Sequence, residues 1–324
     1  MIETRDEFVA RRHADWEELD GILAGSKAVH RLPGPAISRA ASLYRAVCTD
    51  LMRARGAGFE PELVAYLDGL AGRGHNAFYT APPYRFRAAF ELLAEGFPRA
   101  LRRHAAFLTF AAFLFLAPAV FGFVGAYSSR AFVNSVVSAE TAEEMEEMYA
   151  EGFGKGRATG EDTAMAGFYV YNNVGIAFRC FATGIFFGLG SIFFLVYNGL
   201  LIGAVFGVVF RAGHGLHILT FCCGHSTFEL TAIVIAGTAG MVMGYSLVET
   251  NGRTRIGSLR ARARDVAALI LGAGAMLLVA AGIEGFWSPS SVPAPVKWVV
   301  AVALSGVVAA WLALAGRKPL EERG

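Results

Sequence analysis

Charge is scarce in this sequence: Asp, Glu, Lys and Arg make up 17% of its 324 residues, against about 25% in an ordinary soluble domain. A chain so poor in charge, with its apolar residues gathered in long blocks, is neither disordered nor an ordinary soluble enzyme. Cysteine is scarce too. The four present, Cys48, Cys180, Cys222 and Cys223, make no disulfide framework, because three of them fall inside apolar segments. An excess of one charge sign is also missing. The 29 Lys and Arg against 27 Asp and Glu leave a formal net charge of +2, too small to argue for nucleic acid as a partner. The first twenty residues are charged throughout and hold no apolar h-region, so no cleavable signal peptide is expected and the amino end is expected to stay in the cytoplasm.

What the chain has in quantity is apolar sequence, 55% hydrophobic residues with a mean hydropathy of +0.46. About 20 apolar residues cross a bilayer core. The blocks partition into six spans: Ala105–Ala126, with Pro118 a candidate kink, Gly167–Phe187, Leu189–Phe210, a long Leu219–Val248, Val266–Phe286 and Val296–Ala315. Residues 1–104 instead mix polarity at helical spacing. Phe8, Trp16, Leu19 and Leu23 can share a helix face, as can Leu43, Val47 and Leu51, and then Leu63, Tyr66, Leu67 and Leu70. Breaks at Arg31–Pro35 and Gly56–Gly58 separate these stretches. The expected fold class is therefore all-α: a polytopic membrane bundle of about six helices over 105–316, an N-terminal cytoplasmic helical domain over 1–104, and a short cytoplasmic tail at 317–324.

Basic residues set the expected orientation. Arg99, Arg102 and Arg103 precede the first span, Arg253, Arg255, Arg260, Arg262 and Arg264 precede the fifth, and Arg317 and Lys318 follow the sixth. All three clusters fall on one side if there are six spans, which places both termini in the cytoplasm. On the opposite side lies the segment 127–166, which carries Glu140, Glu143, Glu144, Glu146, Glu147 and Glu151. Val137 and the positions Met145, Met148, Tyr149 and Phe153 make it an amphipathic helix. An acidic face disfavours adsorption onto headgroups, so this helix is expected to pack on the protein's own outer surface or on a partner. Trp287 and Trp298 bracket the second, shorter external segment as interface anchors.

Ionisable and amide side chains inside spans are costly and mark candidate sites. His225 and Glu229 stand at i and i+4 in the fourth span, on one helix face. Glu284 lies near the outer end of the fifth span, Asn172 and Asn173 in the outer part of the second with Arg179 deeper, and Asn198 near the middle of the third. At about 1.5 Å rise per residue, Asn172, Asn173, His225, Glu229 and Glu284 share the outer half of the membrane. They form one expected polar cluster, either a hydrogen-bond network that glues helices or a cavity for an ion, proton or headgroup. Zinc is a further alternative, with His225 and Glu229 as its candidate ligands; His214, His217, Cys222 and Cys223 add donors, but at a spacing that matches no compact motif. No other cofactor is expected. Small residues supply a second pattern: Gly184 and Gly188, then Gly199, Gly203 and Gly207, then Ala236, Gly240 and Gly244, each at four-residue spacing. Such ridges let helix backbones approach closely, within the chain or across a homodimer.

These residues bear a resemblance to the stage II sporulation protein M family of membrane proteins. The signals are Asn172-Asn173-Val174, the stretch from Gly184-Ile-Phe-Phe-Gly188 to Tyr197-Asn198-Gly199, His225-x-x-x-Glu229-Leu230, and Ile283-Glu284-Gly285-Phe286 followed by Ser288-Pro289. Phe8–Leu19, Leu43–Leu51 and Gly74–Tyr79 resemble the soluble segment of the family's longer members. The family often has a basic residue soon after the Asn pair, where this chain has Gly175 and places Arg179 later. The resemblance implies partners among envelope proteins that degrade peptidoglycan. The expected function is then a non-enzymatic, dimeric scaffold or regulator of a cell-envelope process in the bacterial inner membrane, in contact with membrane lipid. A transporter or channel lined by the polar cluster is the alternative, and an intramembrane metalloenzyme at His225 and Glu229 a third class.

Overall fold

The computed structural model describes residues 4–25, 32–79, 86–152 and 159–317. Arg31, Phe153 and the tail from Lys318 onward lie outside the described residues. The chain divides into two compact units, Met1–Arg85 and Phe86–Gly324.

The first unit holds three helices, α1 (Arg5–Gly25), α2 (Gly34–Ala57) and α3 (Pro61–Tyr79). Their cores are the expected stripes: Phe8, Trp16 and Leu19 of α1, Leu43, Val47 and Leu51 of α2, and Leu67 and Leu70 of α3 are all buried together. Tyr66 stays on the outside, and Leu23 is half-buried. α2 ends at Gly58, which takes the left-handed conformation (φ 67°) that glycine adopts without strain. Asp50 is the polar exception in this core. Its buried carboxylate accepts from Trp16 Nε1 at 2.9 Å and from Arg12 Nε at 2.8 Å, tying α2 to α1.

The second unit opens with α4 (Phe86–Glu91), a π turn (Leu92–Gly96) and α5 (Phe97–Arg103). Among the described residues, five of its helices are long and apolar enough to cross a membrane. They are α6 (Ala105–Ser128), which continues through Pro118, α10 (Leu189–Arg211), α12 (Ser226–Val248), α13 (Arg255–Gly282), prolonged by a π turn (Ile283–Trp287), and α14 (Ala294–Leu314). The sixth expected crossing, Gly167–Phe187, exists as helix α9 (Thr159–Ala182). Asn172, Asn173 and Arg179 make it more polar than the others, so among the described residues it falls outside the five helices that length and composition alone identify. The expected fourth crossing is corrected in a different way. Leu219–Val248 is not one long helix but a short α11 (Gly215–Cys222), a break at Cys223–His225, and α12.

Helix directions follow from contacts between numbered residues. Gly199, Gly203 and Gly207 of α10 lie against the carbonyls of Phe115, Ala119 and Phe123 of α6, so the two helices run parallel and in constant register. Gly237, Gly240 and Gly244 of α12 meet Leu195, Ser191 and Gly188, so α12 runs antiparallel to α10. Backbones this close gain dispersion contacts that lipid cannot match. Gly184 and Gly188 do not form a ridge on the second span as expected. They lie in the turn that joins α9 to α10, where Gly188 has φ 87° and packs on α12. α12 is the axis of the bundle: every residue from Ala232 to Val242 is buried. The outer face of α6 exposes Phe110, Phe113, Leu116, Val120 and Phe121, as a surface wetted by lipid tails does.

The two ends of the bundle differ in chemistry. At one end, Arg102 donates to the carbonyls of Leu312 (2.6 Å) and Ala315 (2.5 Å), capping the last turn of α14. Arg103 pairs with Asp265 at the base of α13 at 2.7 Å, and buried His104 lies 3.1 Å from the same carboxylate. The three basic clusters thus share one end. At the other end, α7 (Arg130–Val136) and α8 (Ala139–Ala150) start on serine caps, with Ser129 accepting from Phe132 N and Ser138 from Thr141 N.

Candidate functional site

The expected acidic amphipathic helix is α8, and it packs on its own chain. Ala142 joins Val133, Val137, Ala204 and Val208 in one apolar cluster, and Tyr149 joins Val209, Ile218 and Phe221 in another, with Met145 half-buried against it. His217 Nδ1 lies 2.7 Å from Tyr149 O and pins the end of α8 to α11. Met148 departs from the expected stripe and is exposed, as are Glu140, Glu143, Glu144 and Glu147.

Beneath this cap, the break between α11 and α12 sets the polar cluster. A β-carbon at Gly224 would meet Ile283 Cγ2 at 3.1 Å and Trp287 Cδ1 at 3.3 Å, so the break lies directly on the π turn that ends α13. π turns insert a residue into the helical ladder and redirect side chains, and they recur at functional positions. Here that geometry places Glu284 in the protein interior, next to His225, which stands immediately before α12, and Glu229, in the first turn of α12. His225 Nε2 stands 3.9 Å from Glu229 Oε2 and 4.0 Å from Glu284 Oε1. Both distances exceed hydrogen-bond reach. One donor atom from each of the three residues falls within a 4.8 Å circle of the other two.

Neighbours orient these groups. His225 Nδ1 is 3.0 Å from Ser288 Oγ, and Phe221 sets its ring edge-on to the imidazole at 5.5 Å. Asn173 Nδ2 donates to Glu284 Oε2 at 3.4 Å, and Asn172 Nδ2 donates to Asn173 Oδ1 at 3.1 Å, so the Asn pair of α9 reaches the cluster through one member. Asn172 itself is exposed. Asn198 is buried but donates to Phe194 O of its own helix at 2.7 Å, which satisfies it locally. The structure therefore brings Asn173, His225, Glu229 and Glu284 together, with Asn172 at the edge and Asn198 apart.

Two residues that sequence reasoning did not place in the cluster complete the surroundings. Ser288 holds His225, and buried Lys297 holds Ser288 by donating to the carbonyls of Ser288 and Ser290, both at 2.7 Å. A lone lysine opening an apolar helix just after Trp287–Ser290 was the available signal. A cavity of about 290 Å³ lies here, bordered by Gly152, His217, Phe221, Ser288, Ser290 and Lys297. Two of its wall residues, Phe221 and Ser288, touch His225 directly. Of the expected anchors, Trp287 has its Nε1 buried without a hydrogen-bond partner, and Trp298 lines an apolar groove of about 430 Å³ with Phe206, Leu219, Cys222 and Val302.

Residues 111–289 match the family model described as Stage II sporulation protein M, a stretch that contains every member of the cluster. Residues 6–80 match a second model, Domain of unknown function (DUF8413), which covers α1 to α3. No curated protein and no solved structure matches the chain.

Proposed function

The chain belongs to the stage II sporulation protein M family, and from that premise we propose that it is a non-enzymatic membrane scaffold for a cell-envelope process, resident in the bacterial inner membrane with its basic end and both termini in the cytoplasm. The observation that carries this reading is α8. Its apolar side is clamped to α10 and α11, and Glu140, Glu143, Glu144 and Glu147 are exposed at the end opposite the three basic clusters, while Glu146 lines a small pocket beside Arg130 and Arg211. A rigid acidic surface on the far side of the membrane suits a basic patch on an envelope partner, since complementary charge raises both encounter rate and specificity. The glycine ridges of α10 and α12 are used within the chain, so a homodimer would form through another face. Replacing Glu140, Glu143, Glu144 and Glu147 together by lysine is expected to leave membrane abundance unchanged and to abolish co-purification of the envelope partner. Unchanged co-purification would remove α8 as the docking surface.

A second reading, passage of a small ion or solute, draws on the cavity of about 290 Å³ whose walls touch His225. Ionisable residues inside the membrane beside a broken helix are a recurrent arrangement in transporters. Under that reading Glu229→Gln abolishes flux into proteoliposomes, whereas under the scaffold reading it leaves partner binding near normal.

A further inference from the structure

We propose that His225, Glu229 and Glu284 form a buried binding site for one divalent cation, with zinc the fitting ion. Among the described residues, these three are where metal-ligating side chains converge. A cation equidistant from three atoms at the observed separations would stand about 2.5 Å from each, and a small rotation of either glutamate closes this to the roughly 2.0–2.2 Å of zinc–nitrogen and zinc–carboxylate bonds. The charge is right as well. Two carboxylates taken out of water carry a large desolvation cost, which a dication between them offsets.

The arrangement around the three ligands is the one metal sites use. A ligating histidine needs its second ring nitrogen fixed, and a ligating carboxylate needs its second oxygen held. Ser288 Oγ meets His225 Nδ1, and Asn173 Nδ2 meets Glu284 Oε2, which leaves His225 Nε2 and Glu284 Oε1 facing each other and Glu229. Donation from Nδ1–H to Ser288 puts the imidazole lone pair on Nε2, the form a metal requires. Trp287 Nε1 lies 3.6 Å from the β-position of Gly224, the residue before His225, and is a buried donor with no acceptor. Three protein ligands leave a fourth tetrahedral position for water, and such a water is the kind of acceptor that donor lacks. The site joins two stretches distant in sequence: the break before α12 with its first turn, and the π turn after α13. Its role is to lock the broken helix onto the end of α13, beneath the acidic cap.

The test uses the untagged full-length protein in detergent, stripped with EDTA and then offered zinc chloride. Expected are one zinc per chain after gel filtration and a higher unfolding temperature for the loaded than for the stripped protein. Glu229→Gln and Glu284→Gln should each bind less than a tenth as much, while the double variant His214→Ala/His217→Ala should still bind one. Should the glutamine variants fail to fold, cobalt(II) in the wild type decides. Ligand-field bands of a tetrahedral nitrogen and oxygen site support the assignment, whereas a thiolate charge-transfer band moves the metal to Cys222 and Cys223 and overturns it. Wild-type protein that takes up less than a tenth of an equivalent of zinc, with an unfolding temperature indifferent to EDTA and zinc, overturns it too.

Discussion

Asn173 and Glu284, 111 residues apart in sequence, meet at 3.4 Å inside the helical bundle, with the amide donating to the carboxylate. The contact joins α9 to the π turn after α13 and fixes which oxygen of Glu284 faces His225. Asn173→Leu is expected to destabilise the protein by about 1–3 kcal/mol, the range for leaving a buried polar group without its partner. Asn173→Asp should cost more, because it sets a further carboxylate beside Glu284. Thermal unfolding in detergent measures both. Equal stability of the aspartate variant and the wild type would show that the cluster tolerates further negative charge and is better solvated than its burial implies.

The parallel pairing of α6 and α10 rests on glycine. A β-carbon at Gly203 would overlap the Ala119 carbonyl, whereas one at Gly274 of α13 meets open space. Gly203→Ala is expected to lower stability by about 1–3 kcal/mol through overpacking, and Gly274→Ala to raise it by up to about 1 kcal/mol through reduced chain entropy. The opposite signs are the informative part. If both substitutions lower the unfolding temperature alike, close packing at Gly203 is not what holds the two helices.

In the first unit, Asp50 accepts the hydrogen bond of the Trp16 indole and also holds Arg12. Asp50→Ala should cost about 2–4 kcal/mol, since it strands a buried indole N–H and opens a small cavity. Asp50→Asn keeps an acceptor for Trp16 and should cost less. Limited proteolysis of the full-length chain, followed at α1 to α3, reads the difference. Identical resistance for alanine and wild type would mean that the apolar stripes alone hold this unit.

The orientation is open to direct measurement. After Cys48, Cys180, Cys222 and Cys223 are replaced, a cysteine introduced as Glu143→Cys in α8 is expected to react with a membrane-impermeant thiol reagent added to intact cells, and one introduced as Arg262→Cys to react only after lysis. Both positions are exposed or half-buried at opposite ends of the bundle. The reverse labelling pattern would turn the molecule over and put the acidic cap in the cytoplasm.

Much of this architecture is legible in the sequence because lipid imposes simple rules. Apolar length predicts α6, α10, α13 and α14 to within a few residues at most ends, and helical spacing picks out Phe8, Trp16, Leu43, Val47 and Leu67 as core. The rarity of charge in the spans singles out His225, Glu229 and Glu284, and depth alone brings them together. The break before α12 is not legible in the same way. Cys222-Cys223-Gly224 is short and apolar, so a hydropathy window passes straight through it, and glycine is tolerated within membrane helices. Nor does a four-residue glycine spacing name its partner: Gly199, Gly203 and Gly207 could seat any helix, and the choice of α6 depends on how the whole bundle closes. The roles of Ser288 and Lys297 escape notice because they involve loop carbonyls and a ring nitrogen, which leave no periodic trace.

Gly224 offers the sharpest test of that break. Its backbone rests on Ile283 and Trp287, with room for a β-carbon only if those side chains yield by a few tenths of an ångström. Gly224→Ala is expected to cost about 1 kcal/mol, and Gly224→Val about 1–3 kcal/mol, as overpacking does in a filled interior. The valine variant should also push the π turn away from the start of α12 and part Glu284 from His225, since the two are held by that contact. Tryptophan emission reports the first effect through Trp287, and zinc uptake reports the second. A valine variant that keeps wild-type stability and emission would mean that the break does not bear on the π turn, and the position of Glu284 would then be set by other contacts, Asn173 among them.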